Sequence, residues 1–325
     1  MKIKCIGFSV TGFGKPNFPT SLKDKLRKFN NLDVKYMSIG GLSIDALSPL
    51  LKMEKEHCDI LILEITTSWY SLRKKNEAEA EHYIRDIHYA AKILAKRVIY
   101  LNLYRKDICD KDIVVNAINK ICRQDSIILN LKDIYRKRLL SFGHDGTVDG
   151  VHPTQETIEE IAQSCANEIT NSKIPPRLID CRPPENYRSM LLLNSIRNKN
   201  ILFNNNHGLI FPAYKLAVPS SEVLKFQINY LIDGIYFIYG PDTTSINLVI
   251  SGDVINIQMF DENSFYRRLG YRFFNPHESS EIKIQALPDR PNVELRKFPW
   301  ESVEEKNIYI IGFSYVCKEG IINIT

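Results

Sequence analysis

DILILEIT, residues 59–66, is a nearly unbroken apolar run. Strict alternation would mark a strand wetted on one face. A continuous run marks a strand covered on both faces, as in a parallel sheet. Similar short runs lie on either side: IKCIGFS (3–9), DVKYMSI (33–39), RVIYLNLY (97–104) and SIILNL (126–131). Segments with helical spacing and mixed charge separate them, at about 20–30, 44–57, 76–96, 111–123, 132–141 and 155–171. Strands alternating with helices predict βαβ units and a five-stranded, flavodoxin-like parallel sheet with helices on both faces.

The pattern changes after residue 173. The segment IPPRLIDCRPPENYR (174–188) is rich in proline, which removes backbone donors and biases its neighbours to extended conformations. It is assigned as a linker between a first domain (1–173) and a second (189–325). The second contains short apolar or alternating segments at 189–194, 201–203, 224–232, 234–239, 245–250, 253–260, 281–286 and 308–316. Turn signals such as Asp233-Gly234 and Gly240-Pro241-Asp242 separate them. This half is expected to be an antiparallel β-sandwich.

Composition narrows the function classes. The formal charge is +5 over 325 residues, with no concentrated basic run, so nucleic acid is not the expected partner. No stretch approaches the ~20 apolar residues of a membrane span. The N-terminus lacks the apolar core of an export signal, and a cytoplasmic protein is expected. Seven scattered cysteines without a CxxC pair, and histidines without ligand spacing, point to neither metal nor disulfide framework.

In an open parallel sheet, ligands bind beyond the carboxyl ends of the strands. Those ends hold Gly7-Phe8-Ser9, then Gly40-Gly41, then Thr66-Thr67-Ser68, and later Asp149-Gly150-Val151-His152. A serine hydroxyl needs a base to become a nucleophile, and histidine is the usual one. An Asp three residues before a His, across a glycine, can reach Nδ1 and leave Nε2 for the serine.

These blocks, in this order, resemble the SGNH or GDSL hydrolases over about residues 1–172. The family's nucleophile follows strand one, here Ser9 in Gly7-Phe8-Ser9, with Phe8 replacing the usual aspartate. Its Asp-x-x-His-Pro block is matched in full by Asp149-Gly150-Val151-His152-Pro153. The resemblance implies an oxyanion hole from the Ser9 and Gly41 amides and from Ser68, which stands where the family has asparagine. It implies a serine esterase without cofactor or metal, acting on a small-molecule or glycan ester, foremost an O-acetyl group on a carbohydrate. Thr66, Thr67, Trp69 and Tyr70 are candidate substrate contacts. An O-acetyltransferase with the same triad, or a non-catalytic glycan- or protein-binding module, are the alternatives. The β-rich half could bind carbohydrate, cover the catalytic rim or mediate a homodimer.

Overall fold

The structure is a computed structural model and describes residues 1–68, 76–106, 112–172, 184, 186–193, 200–204, 210–218, 223–299 and 305–318. The chain divides into two compact units, Met1–Pro184 and Glu185–Thr325.

The first unit is built on five parallel strands: β1 (Lys2–Gly7), β2 (Asp33–Ser38), β3 (Cys58–Glu64), β4 (Ala95–Asn102) and β5 (Ile127–Asn130). Their order is β2-β1-β3-β4-β5, the flavodoxin-like arrangement. The short helix α1 (Ser9–Gly12) follows β1 directly. The others are α2 (Phe18–Lys25), α3 (Leu47–Met53), α4 (Glu77–Leu94), α5 (Ile113–Cys122), α6 (Lys132–Phe142) and α7 (Gln155–Asn171).

β3 lies in the middle, and Ile60 to Leu63 are all buried, as the apolar run predicts. Successive side chains of a strand point to opposite faces. Ile60 and Ile62 join Ile99 and Leu101 of β4 against Leu22 of α2 and Ile158, Ile161 and Cys165 of α7. The other face is covered by α4, where His88 Nδ1 lies 3.0 Å from the Tyr100 hydroxyl. Each fully buried Ile or Leu contributes about 1.5–3 kcal/mol.

Helix starts follow capping chemistry. Asn17, Asn76 and Thr154 each accept a backbone N–H of the first turn of α2, α4 and α7. α6 stops at Gly143, whose φ of 72° is the left-handed region. The order reverses at β1: the chain crosses from β1 to β2 on one side and to β3 on the other. The crevice above β1 and β3 is therefore where ligands are expected.

The second unit contains β6 (Asn186–Leu192), β7 (Asn200–Asn204), β8 (Ile210–Val218), β9 (Val223–Tyr239), β10 (Ser245–Ile250), β11 (Asp253–Gln258), β12 (Arg268–Leu287) and β13 (Lys306–Lys318). They form one continuous antiparallel sheet, ordered β11-β10-β12-β9-β13-β8-β7, with β6 also paired to β13. Buried apolar side chains of β8, β9, β10, β12 and β13 merge into one cluster, the core of this unit.

Three details differ from the sequence expectation. Asn186–Arg188, assigned to the linker, open β6. Asp233-Gly234 is no turn but the interior of the 17-residue β9. The reason is packing: Asp233 pairs with Arg188 at 2.5 Å, both buried. Gly234 makes room for Tyr271, whose hydroxyl would lie 2.3 Å from a Cβ at that position. β8 and β12 before residue 281 carry no clean alternation, and the sequence reading assigns no strand there. Among the described residues, no helix is long and apolar enough to cross a membrane.

Candidate active site

Ser9 sits where β1 ends and α1 begins. The turn is possible because residue 7 is glycine. A Cβ there would lie 2.1 Å from Thr11 Oγ1 and 2.6 Å from the Glu64 carbonyl oxygen. The turn is held from both neighbouring strands. The Phe8 amide donates to the Glu64 carbonyl oxygen at 3.3 Å and to Glu64 Oε2 at 3.2 Å. The Phe8 carbonyl accepts from the Ser38 hydroxyl at 2.8 Å.

His152 arrives from the loop between α6 and α7. That loop is braced by its own backbone: Val148 N–H donates to the His152 carbonyl at 2.7 Å, and Thr154 N–H to the Gly146 carbonyl at 2.8 Å. Gly146 and Gly150 take positive φ values of 74° and 84°, which glycine adopts without strain. The Lys106 amide, just after β4, donates to the Gly150 carbonyl at 2.8 Å and ties the loop to the sheet.

The result is a continuous chain of three side chains. His152 Nε2 lies 2.9 Å from Ser9 Oγ. His152 Nδ1 lies 2.7 Å from Asp149 Oδ2. With its proton on Nδ1, the ring donates to Asp149, and Nε2 accepts from the Ser9 hydroxyl. Asp149 Oδ1 accepts the Val151 and His152 amides at 3.1 and 2.8 Å. Partial burial pushes the Asp149 carboxyl up, but these amides and the imidazole outweigh it, and the net shift is downward. Phe13 stacks on the His152 ring, with centroids 4.5 Å apart, and limits its rotation.

Gly40 and Gly41 close β2 beside this group. The Ile39 amide donates to the Gly7 carbonyl at 2.9 Å, and a Cβ at Gly40 would contact Ser9 Cβ at 3.8 Å. Gly41 is exposed, with φ at 77°.

The residues after β3 take other parts than expected. The Thr66 hydroxyl donates to the Leu101 carbonyl and accepts the Leu103 amide, at 3.0 and 3.1 Å, so it ties β3 to β4. The Thr67 hydroxyl donates to Glu64 Oε1 at 2.6 Å. Both are buried, with their hydroxyls used inside the fold and not aimed at a substrate. Ser68 is fully buried, and its hydroxyl accepts the Ile44 amide at 3.2 Å, fixing the turn that follows Gly41. Trp69 and Tyr70 lie outside the described residues.

Sequence reasoning missed Glu64, Thr11, Phe13 and Arg105. Glu64 is buried beneath the Ser9 turn and accepts from Phe8, Thr11 and Thr67. Its signal was present: a lone carboxylate inside an apolar run. Arg105 is buried and donates to the Thr67 carbonyl at 2.5 Å. Among the described residues, no group of three or more His, Cys, Asp or Glu is placed to hold a metal ion.

No family model and no curated protein matches the chain. Solved structures similar to it include a member of the lipolytic G-D-S-L family from Veillonella parvula, at 16% identity and TM-score 0.43. That match covers 53% of this chain and 100% of that one. An acetylxylan esterase from Geobacillus stearothermophilus is 17% identical, covering 53% of this chain and 94% of that one, with TM-score 0.41. A carbohydrate esterase family 3 protein from Talaromyces cellulolyticus is 15% identical, covering 52% and 96%, with TM-score 0.42.

Proposed function

We propose that the first unit is a serine esterase that removes a small acyl group, foremost acetyl, from a carbohydrate. The observation that carries the esterase reading is the Ser9–His152–Asp149 chain, with contacts of 2.9 and 2.7 Å. Three side chains from the carboxyl side of one sheet meet in the order that acyl transfer needs. The acetyl and carbohydrate assignments rest on the sequence resemblance described above.

In this mechanism Ser9 Oγ attacks the ester carbonyl carbon while His152 Nε2 takes the hydroxyl proton. Asp149 keeps the ring's second proton on Nδ1 and stabilises the imidazolium. The Ser9 and Gly41 amides donate to the oxyanion, and Ser68 supports them by fixing the Ile44 turn. The tetrahedral intermediate expels the alcohol, which takes the proton from His152. Water, deprotonated by the same imidazole, then releases the carboxylic acid and restores Ser9.

The test is a fluorophosphonate probe with peptide mapping, paired with p-nitrophenyl acetate turnover. The expected modified residue is Ser9. Ser9→Ala should lower turnover by at least about a thousandfold while leaving thermal unfolding unchanged. A folded native chain inert to both reagents would overturn the esterase reading and favour a binding module.

A further inference from the structure

We propose that Glu64 is a positioning residue of this site: its ionised carboxylate ties the nucleophile turn to the segment after β3, and its protonation slackens that tie. The proposal rests on the esterase reading of Ser9.

The geometry is specific. Glu64 is the last residue of β3, at the point where strand order reverses. One oxygen, Oε2, accepts the Phe8 amide at 3.2 Å and the Thr11 hydroxyl at 3.3 Å. The other, Oε1, accepts the Thr67 hydroxyl at 2.6 Å. Phe8 and Thr11 bracket Ser9 on both sides, and Thr67 precedes Ser68. One carboxylate thus links the residue before the nucleophile, the helix that begins with it, and the segment behind the Gly41 turn.

All three partners are neutral. A buried carboxylate without a cation is costly, so a fold that needed only a tether would be better served by an amide. Burial pushes the Glu64 carboxyl up to about 7, against the lowering effect of hydrogen bonds from the Thr67 hydroxyl, the Phe8 and Thr67 amides and the Thr11 hydroxyl. Buried titratable groups set near neutrality concentrate at functional sites.

Protonation changes what the group can do. An ionised carboxylate only accepts, and can satisfy all three donors at once. A protonated one must donate through its O–H. The Phe8 amide cannot reverse, so Thr11 or Thr67 must turn its hydroxyl and become the acceptor. Either change loosens one of the two segments. The Ser9 amide, which would stabilise the oxyanion, belongs to the peptide next to the Phe8 amide, so small shifts there reach the reacting atoms.

Other titratable and charged groups lie on the elements around this carboxyl. Tyr135 of α6 is buried, its hydroxyl finds no partner among the described residues, and burial and then the Glu64 charge push its own ionisation upward. Arg105, after β4, reaches the same segment through the Thr67 carbonyl. His152 and Asp149 lie across Ser9. His152 must be neutral to act as base.

Glu64→Gln keeps the shape and removes the titration. The expected result is a fall in kcat of about tenfold to a hundredfold with KM little changed. The acid limb of kcat/KM should lose the ionisation that Glu64 contributes in the native chain. Stability supplies a readout independent of turnover. The folded chain holds this proton more tightly than the unfolded chain does. The stability difference, native minus variant, should therefore fall as pH rises from the ordinary value of 4.5 through about 7, and be level outside that window.

An active native chain whose Glu64→Gln twin shares its turnover and acid limb would overturn this proposal alone. A folded native chain that fluorophosphonate does not label removes the esterase reading and this proposal with it. If the variant fails to fold, carbon-13 titration of the Glu64 carboxyl in the native chain decides. Protonation near neutrality that shifts the Phe8, Thr11 and Thr67 amide signals in step supports the tie. A carboxyl that titrates as it would in water, or moves none of them, overturns it.

Discussion

Asp149 and His152 are three residues apart, and the chain between them does much of the orientation. The carboxylate accepts two local amides with one oxygen and the imidazole with the other. Its pKa is lowered, so it stays ionised when the solution is mildly acidic. A lowered carboxyl stabilises the fold above its unfolded pKa and loses that contribution as pH falls through its folded value. With the side chain 53% exposed, solvent screens the effect, and its weight falls on the imidazole. Asp149→Asn should hold the loop while presenting an amide N–H to Nδ1. The ring's proton would then sit on Nε2, which could no longer accept from Ser9. Turnover of p-nitrophenyl acetate should drop by about 10³–10⁴-fold with unchanged melting temperature. A drop below tenfold would remove the orienting role. This pair was legible in the sequence because its geometry is local, written in five consecutive residues. Glu64 was not, because its partners come from two other segments. Thr66 and Thr67 suggested substrate contacts, but a hydroxyl in a sequence does not say whether the backbone has already claimed it.

At the scale of elements, buried apolar runs were the readable part. β3 is as continuous as its neighbours on both faces require, and each of β1 to β5 falls close to its expected place. The antiparallel sheet was less legible because two of its strands are long and irregular. β12 pairs with β9 through register shifts near Phe273 and Ser279, which break the period-two signal. The Asp233-Gly234 pair misled because turn chemistry and packing chemistry use the same residues. Here Arg188 donates to Asp233 Oδ2, and Ser314 donates to Asp233 Oδ1, each at 2.5 Å, all three buried, in a cluster that also includes the half-buried Tyr271. Removing one partner strands the other charge. Arg188→Ala should cost about 3–5 kcal/mol in chemical unfolding, whereas Arg188→Met combined with Asp233→Leu should recover most of it. Equal losses in the single and double variants would show that shape, not charge pairing, holds the cluster.

For the whole molecule, each unit has its own apolar cluster. Each is also of ordinary domain size. A fragment of residues 1–184 is expected to fold and to be labelled at Ser9 by fluorophosphonate as the full chain is. Far-ultraviolet circular dichroism and probe incorporation check this. A fragment that folds but is not labelled would overturn this expectation.

The contact between Ser9 and His152 spans 143 positions of sequence. If Ser9 is the nucleophile proposed above, a ribosome making this chain releases a hydroxyl that stays chemically silent until almost all of the first sheet and its helices have emerged. On the proposed mechanism, reactivity switches on only when the loop between α6 and α7 docks. The onset of probe labelling during synthesis or refolding is then a clock for closure of the whole α/β unit, read at one atom.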